Sequence, residues 1–587
     1  MLVPRSFLER REAMRRLGYL TRLTWEDVTG RPTSLDRLRQ IAGQLPTETV
    51  LALAGASSIV LLNRSQDADR RRQAQVSAVE EFLTPAHAAS GRDLILRGER
   101  DAFLDHEQLL AAARLAIIDG LPGPPQPLTE EGTALVAELF LGINDVLNLD
   151  PSGTMSADEL LISLGLRSLA ARDPQASHNS VARSYDLLVT RSRSYVGEEP
   201  GLDLDAAFDA ASGGMSIDAY YGCAIWYLAP FIGVENIGQL AGNLWRVLAE
   251  HEEQISDLTI RSRCQTLFTA NLTELRDRLG PTVDLARAST LAFRAAPIVR
   301  LEGGRLLPIS ASLIFEKLSL GAYWLLHEYF RAADRGGGAQ RFTKFIGKLH
   351  EAYVSDLLSR TYAEAYAGPA RFVSEADVIA ASGRRKGQKP PFDAALVEGD
   401  SLVLFEVGTP WFTIATIETA DVAGFHSEVK KVSKKAKQLA SAIDALARGR
   451  WTIPGLDLAS VRHIFPVLVM LHPYPRVPSS LQPIRAEVEE ALIPFGRAVA
   501  ATRVHKLELL SDEELEALEP YLTPKDLALP VLLTEKLEVR ETADTSMKTY
   551  LLNIREMAER ENPHMKSLYE EAGRAANQAV NQSGGQR

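Results

Sequence analysis

Two short apolar segments, each interrupted by one carboxylate, constrain the fold of this chain more than any other feature. Asp393 lies at the start of the first segment, 392–397, and Glu406 lies near the end of the second, 402–407. The three residues at 398–400, Glu-Gly-Asp, are typical of a hairpin turn. A carboxylate inside an apolar strand is costly unless it is paired, hydrogen-bonded or bound to a metal. The pattern therefore predicts a hairpin that carries two functional carboxylates at one end of a small sheet.

The segments on either side of this hairpin alternate between helical and strand patterns. Apolar residues at three-to-four spacing predict helices at about 342–365 and 421–447, and a strand is expected at about 371–379. The nearly unbroken apolar run 463–471 predicts a strand that is buried on both faces, as in the centre of a parallel sheet. Together these elements predict an α/β domain at 340–480, with a mixed central sheet flanked by helices.

The rest of the 587-residue chain is predicted to be mostly helical, which makes the fold class α+β and multidomain. A Pro- and Gly-rich connector at 121–127 separates the first two helical units. In chain order, the predicted units are a helical subdomain at 1–120, a helical subdomain at 128–290, a hairpin and helix at 296–335, the α/β domain at 340–480, a helical C-terminal segment at 485–574 and a disordered tail at 575–587.

Composition narrows the function classes. The formal net charge of −11 means that any contact with nucleic acid requires a local basic patch. The two cysteines, Cys223 and Cys264, form no CxxC pair, which disfavours zinc ribbons and thioredoxin-like chemistry. Their scarcity fits a reducing cytoplasm. The most apolar stretch, 220–234, is shorter than the roughly 20 residues that span a bilayer, so no membrane partner is expected.

The α/β domain resembles the PD-(D/E)XK nuclease superfamily over about residues 340–475. The residues that carry the resemblance are Glu351 in GKLHEAYV of the first helix, Asp393 in FDAAL, Glu406 in LFEVG and Gln438 in KKAKQL. The resemblance implies a restriction-endonuclease-like fold. It also implies that Asp393, Glu406 and the Val407 carbonyl hold Mg²⁺ or Mn²⁺, with Glu351 assisting. Carboxylate and carbonyl oxygens are suitable ligands for Mg²⁺.

The chain departs from the superfamily pattern at one position. Gly408 stands where the pattern has a lysine, the residue thought to position or activate the attacking water. Some members of the superfamily carry this lysine on the helix that follows. On the predicted helix 421–447, Lys431, Lys435 and Gln438 lie on one flank of the apolar face. Lys431 or Lys435 is therefore the expected replacement, with Gln438 beside it.

A basic loop before the hairpin is the expected contact for nucleic acid. Its charged residues are Arg384, Arg385, Lys386 and Lys389. Contacts of such groups with phosphates depend on salt and carry little sequence information. A loop that only increases solubility is an equally good interpretation.

The resemblance implies a cytoplasmic, bacterial-type protein that hydrolyses phosphodiester bonds of DNA, with RNA as the less favoured substrate. By analogy with the superfamily, such a protein would fit a role in restriction or antiphage defence, with the helical N-terminal region binding a partner, a substrate or a signal. Two other hypotheses stay open. Gly408 could mark a catalytically inactive domain that binds nucleic acid or acts as a scaffolding subunit. Alternatively, the chain is a purely helical interaction protein.

Overall fold

The structure is a computed structural model. It describes residues 21–64, 68–147, 156, 159–160, 162–163, 165–166, 178–196, 201–234, 236–255, 257–281, 284–285, 288–363, 370–383, 392–409, 416–417, 419, 421–476, 478–492, 502–523 and 526–582.

Helices form almost all of the regular structure described before residue 296, as predicted. Many begin at a side-chain cap. Asp105, for example, accepts a hydrogen bond from the Gln108 amide, and the Gln108 side chain accepts one from the Asp105 amide. The helices are α1 (Trp25–Thr29), α2 (Leu35–Ala42), α3 (Thr47–Arg64), α4 (Ala68–Phe82), α5 (Pro85–Leu96), α6 (His106–Asp119), α7 (Glu130–Val146), α8 (His178–Tyr185), α9 (Leu204–Ser212), α10 (Ile217–Leu228), α11 (Ile237–Ala241), α12 (Leu244–Glu252), α13 (Leu258–Phe268), α14 (Leu272–Leu279) and α15 (Leu291–Ala295).

A small three-stranded sheet follows this region. β2 (Ile298–Arg300) and β3 (Leu306–Pro308) form the predicted antiparallel hairpin, and Gly303 and Gly304 give its turn the positive φ angles it needs. β1 (Thr269–Asn271) adds to β2 in parallel. We did not predict β1, because three residues between two helices leave no period-2 pattern to detect.

The remaining helices follow this small sheet in the chain, and some of them pack against a second and larger sheet. A π-helical turn, Lys317–Gly321, joins the helix Ala311–Glu316 to the helix Ala322–Ala333. A similar π-helical turn, Asp186–Arg191, continues α8. These helices are α16 (Ala311–Glu316), α17 (Ala322–Ala333), α18 (Gly338–Ala363), α19 (Glu375–Ala381), α20 (Val422–Ala447), α21 (Pro478–Leu492), α22 (Asp512–Leu522), α23 (Leu529–Glu538), α24 (Arg540–Ala543), α25 (Met547–Thr549) and α26 (Pro563–Gln582).

The larger sheet has six strands of mixed direction. Its strands are β4 (Ala370–Ser374), β5 (Ala394–Glu398), β6 (Ser401–Gly408), β7 (His463–Met470), β8 (Arg503–Val504) and β9 (Glu508–Ser511). The order is β4–β5–β6–β7, and β8 and β9 both pair with β7 on its other side. β4, β5 and β6 are antiparallel neighbours, whereas β7 is parallel to β6, β8 and β9. The fold is thus mixed α+β, as expected.

Three sequence predictions about this sheet and the C-terminal part of the chain are wrong. The strand expected at 371–379 ends at Ser374, because Ser374 and Asp377 form a capping box that starts α19. The segment 485–574, expected to be helical, contributes β8 and β9, which are too short for a strand pattern. The tail expected to be disordered from 575 is helical as far as Gln582, and Val580 is buried there.

The two faces of the larger sheet bury different cores. Alternate residues of β6, Val403, Phe405 and Val407, face a core that is continuous with the N-terminal helices and α18. Leu402 and Leu404 face a second core with α20 and α21. Because side chains alternate along a strand, Glu406 shares the face of Leu404 and is directed towards α20.

Two further predictions concern the cysteines and the membrane. Cys223 and Cys264, which we took as typical of a reducing compartment, are paired in a disulfide between α10 and α13, with a Cα–Cα distance of 6.2 Å. The apolar stretch 220–234 contains the buried helix and turn that we expected. Of the helices that the structure describes, none combines the length and the apolar character needed to cross a bilayer.

Candidate active site

The hairpin sets Asp393 beside the end of β6. Asp393 directly precedes β5, whose first residue, Ala394, pairs with Phe405 of β6. The Asp393 amide donates to the Phe405 carbonyl at 2.9 Å. In return, the Val407 amide donates to Asp393 Oδ2 at 2.8 Å. These bonds on either side of Glu406 fix the Asp393 carboxylate next to the Glu406 backbone.

Glu406 is a buried carboxylate in an acidic environment. Its side chain is only 4% exposed, on the face of the sheet that α20 covers. Burial, reinforced by the negative charges of Asp393 and Glu351, raises the Glu406 pKa to about 8, although Lys435 acts in the opposite direction. The surroundings therefore favour either a proton or a cation on this carboxylate.

Lys435 supplies the positive charge of the site. It lies in the middle of α20, and its ammonium donates to Glu406 Oε1. The side chain is 29% exposed, so it reaches the carboxylate from a partly solvated position. Burial opposes the charged amine, yet Glu406, Asp393 and Glu351 outweigh burial and raise the Lys435 pKa. Of the two lysines predicted as the replacement, Lys435 is therefore the one whose ammonium contacts a candidate carboxylate.

Glu351 approaches the same site from α18. The negative charge of its carboxylate contributes to the raised pKa of both Glu406 and Lys435. Gly347, one helical turn earlier, faces the residue after β6, because a Cβ at Gly347 would lie 3.8 Å from Thr409 Oγ1. Residues four apart share a helix face, so Glu351 follows along the side of α18 that lies over the end of β6.

The other predicted residues lie apart from these four or outside the described residues. Lys431 donates to Glu428 Oε1 at 2.9 Å, three residues earlier on α20, and is 61% exposed. Gln438 is also exposed. The basic loop with Arg384, Arg385, Lys386 and Lys389 lies outside the described residues.

Sequence reasoning did not identify two groups that shape the site. Glu428 forms an ion pair with Lys431, so Lys431 is bonded to Glu428 and not to Glu406. The spacing of three residues on a helix could have revealed this pair. The Val407 amide, where we had considered only the carbonyl, anchors Asp393. No sequence signal indicates that second contact, because any residue at 407 would supply the same amide.

A divalent cation such as Mg²⁺ at this site would need oxygen ligands. In the described ranges, no three His, Cys, Asp or Glu side chains are grouped so as to hold a metal ion. Mg²⁺, however, commonly binds through one or two carboxylates and keeps several waters. Burial is the main cause of the raised Glu406 pKa, and the negative charges of Asp393 and Glu351 add to it. Asp393 and Glu406 therefore fit such a cation as a two-carboxylate set.

The chain matches no protein-family model, and no curated protein is significantly similar to it in sequence. The interpretation of the site therefore depends on its geometry and charge.

Proposed function

We propose that the protein is a metal-dependent nuclease whose active site consists of Asp393, Glu406, Lys435 and Glu351. The observation that carries the proposal is the hydrogen bond from the Lys435 ammonium to the Glu406 carboxylate, beside Asp393. Two carboxylates with one ammonium, at the end of a sheet, are the groups needed to hold a divalent cation and to orient a water. A nucleic acid, preferably DNA, is the proposed substrate.

Each residue has a distinct proposed role. Asp393 and Glu406 would hold Mg²⁺ or Mn²⁺, together with the Val407 carbonyl. The cation, when bound, would neutralise charge on the phosphate and lower the pKa of an attacking water. Lys435 would replace the lysine that Gly408 cannot supply, because its ammonium can donate to a water or to a phosphate oxygen. Glu351 would add negative charge that favours the cation.

The exposed face of α20 offers a surface for the substrate backbone. Lys430 and Lys434 are exposed on this helix, and Lys434 directly precedes Lys435 in the chain. Lysines on such a face can contact phosphates without reading sequence. This local positive charge supports a polyanionic substrate, although the whole chain is acidic.

A specific observation also favours the second hypothesis, an inactive domain that binds nucleic acid. Asp393 Oδ2 already accepts from the Val407 amide, and Glu406 Oε1 already accepts from Lys435. A carboxylate pair with these oxygens satisfied could serve only to stabilise the sheet edge. Cleavage separates the two functions.

The test is a cleavage assay on supercoiled plasmid, linear duplex DNA, single-stranded DNA and RNA, each with Mg²⁺, with Mn²⁺ and with EDTA. Wild type is expected to cleave DNA only with a divalent cation. Glu406→Ala, purified identically, should lose at least about 100-fold in rate, the loss typical of removing an electrostatic group from an active site. This variant also controls for contaminating nucleases. Absence of metal-dependent cleavage of every substrate would contradict the nuclease, and binding without cleavage would support the inactive domain.

A further inference from the structure

A buried charged cluster joins three helices directly beside the candidate active site. Its members are Arg183 on α8, His350 and Tyr353 on α18, and Asp512 and Glu516 on α22. All five side chains are almost completely buried. We call this set the Arg183 cluster.

The bonds of the Arg183 cluster converge on its two carboxylates. Arg183 donates to Glu516 Oε1, and its Nε lies 4.0 Å from Asp512 Oδ2. Tyr353 donates its hydroxyl to the same Glu516 oxygen at 2.7 Å. His350 Nε2 is 2.8 Å from Asp512 Oδ1. Arg183 thus supplies the positive charge for the two carboxylates that hold α18.

Removal of Arg183 would leave these carboxylates poorly compensated. Even with the guanidinium in place, burial and Asp512 raise the Glu516 pKa to about 7. Of the cluster atoms, His350 Nδ1, Asp512 Oδ2 and Glu516 Oε2 have no hydrogen-bond partner among the described residues. Unpaired buried carboxylates are costly, so without Arg183 these side chains would seek water or other partners.

The cluster and the candidate active site share one turn of α18. His350 and Glu351 are consecutive, so their side chains project about 100° apart around the helix axis. His350 and Tyr353 bond to α22, whereas Glu351 lies one turn after Gly347, which faces Thr409 at the end of β6, and its charge contributes to the raised pKa of Glu406. A rotation or shift of α18 that relaxes the cluster would therefore move Glu351.

The cluster also lies at the same edge of the sheet as the site. Asp512 follows directly on β9, whose last residue, Ser511, pairs with Met470 of β7. Met470 in turn pairs with Gly408 of β6, two residues after Glu406. The carboxyl ends of three parallel strands thus bring the Arg183 cluster and the candidate carboxylates into neighbouring positions.

We propose that Arg183 is a positioning residue for the active site: through Asp512 and Glu516 it fixes the turn of α18 that places Glu351 beside Glu406. This inference rests on the proposed function, since it assigns Glu351 a role at a bound cation. It makes the N-terminal helical region part of the catalytic unit, because α8 belongs to that region. Groups that orient the ligands of a metal typically change its affinity about 10- to 100-fold.

The experiment is a double-mutant cycle on Mn²⁺ affinity, measured by electron paramagnetic resonance on the full chain. The variants are Arg183→Met, Glu351→Gln and the double variant, with cleavage rates as a second readout. We expect each single change to weaken Mn²⁺ binding about tenfold. In the Glu351→Gln background, Arg183→Met should have no further effect, because Arg183 acts through Glu351.

Arg360→Met is the matched control. Arg360 also joins α18 to α22, through Glu519, but lies nine residues beyond Glu351. This variant should reduce thermal stability without changing Mn²⁺ affinity more than about twofold. If Arg183→Met does not fold, Arg183→Met/Glu516→Gln, which removes one charge of each sign, takes its place in the cycle.

The outcomes separate this inference from the proposed function. If the two changes act independently, the fold losses of Mn²⁺ affinity in the single variants multiply in the double variant. That result would overturn the role of Arg183 and leave the nuclease proposal intact. An equal loss of affinity in Arg360→Met would also overturn it. A wild type that binds no Mn²⁺ and cleaves nothing would overturn both.

Discussion

The Lys435 ammonium donates a hydrogen bond to Glu406 Oε1 although the two residues are 29 positions apart in the chain. Lys435 belongs to the helix that covers the face of the sheet on which Glu406 is buried. Gly408, the position where the PD-(D/E)XK pattern has its lysine, has no side chain that could reach the site. Under the proposed function, Lys435 of α20 would take the role of the lysine that Gly408 cannot supply.

Glu406→Gln should gain stability relative to wild type as the pH rises. Burial, together with Asp393 and Glu351, raises the Glu406 pKa to about 8 from an ordinary value of 4.5, so the fold favours the protonated carboxyl. The stabilisation from this group is complete below pH 4.5 and is lost as the pH rises through 8. Glutamine mimics the protonated form at every pH. Thermal unfolding in EDTA at pH 5 and pH 9 measures the difference in melting temperature between variant and wild type.

The exposed Glu250 provides the control for this comparison, as Glu250→Gln should change the melting temperature equally little at both pH values. Each unit of pKa difference corresponds to about 1.4 kcal/mol, so the relative gain of Glu406→Gln should be readily measurable. If the difference in melting temperature between Glu406→Gln and wild type is the same at both pH values, or is less favourable to the variant at pH 9, then Glu406 is not held in its neutral form.

Glu351→Gln should lower the pKa of Glu406 and slow cleavage less than Glu406→Ala does. The Glu351 carboxylate contributes to the raised Glu406 pKa, but burial and Asp393 contribute more. We expect a rate loss of about tenfold, because an assisting charge contributes less than a ligand. Carboxyl carbon NMR and cleavage rates check the two parts. An unchanged Glu406 pKa would refute the proximity of Glu351 to this carboxylate.

His106 should make the N-terminal core sensitive to acid. Its imidazole is 7% exposed and lies 3.2 Å from Ser310 Oγ, and burial, helped by Arg294, lowers its pKa to about 4. The fold therefore favours neutral His106. The resulting stability is complete above pH 6.5 and is lost as the pH falls through 4.

Urea unfolding at pH 7 and at pH 5 measures this effect. The free energy of unfolding should fall more in wild type than in His106→Gln, which has no charge to gain. His426 lies exposed on α20, and His426→Gln should retain the full acid sensitivity. Equal acid sensitivity of wild type and His106→Gln would exclude His106 as the cause.

The sequence predicted the hairpin, the two long helices and the central strand because each has a clear period and strong turn or cap signals. It did not predict β8 and β9, since strands of two and four residues form through pairing with β7, which is distant in the chain. The disulfide between Cys223 and Cys264 likewise depends on how α10 and α13 pack, which no local pattern encodes.

The sequence also named the residues of the candidate site, and their role stays a prediction. Asp393, Glu406 and Glu351 were named from the sequence; Lys435 bonds to Glu406, and the charges of all three carboxylates raise its pKa. Helix periodicity alone could not choose between Lys431 and Lys435, because both lie on the same flank of α20. The choice follows from Glu428, which binds Lys431 at 2.9 Å and leaves Lys435 to reach Glu406.

The most direct test of the central claim is the cleavage rate of Lys435→Met compared with Lys431→Met, under single-turnover conditions with Mg²⁺. Both changes remove one lysine from the same flank of one helix, so they alter net charge and helix propensity equally. We expect the cleavage rate of Lys435→Met to fall about 100-fold or more, as for a group that assists proton transfer or charge stabilisation, while that of Lys431→Met stays within about threefold of wild type. Equal rates for the two variants, or a Lys435→Met enzyme as fast as wild type, would contradict the central claim.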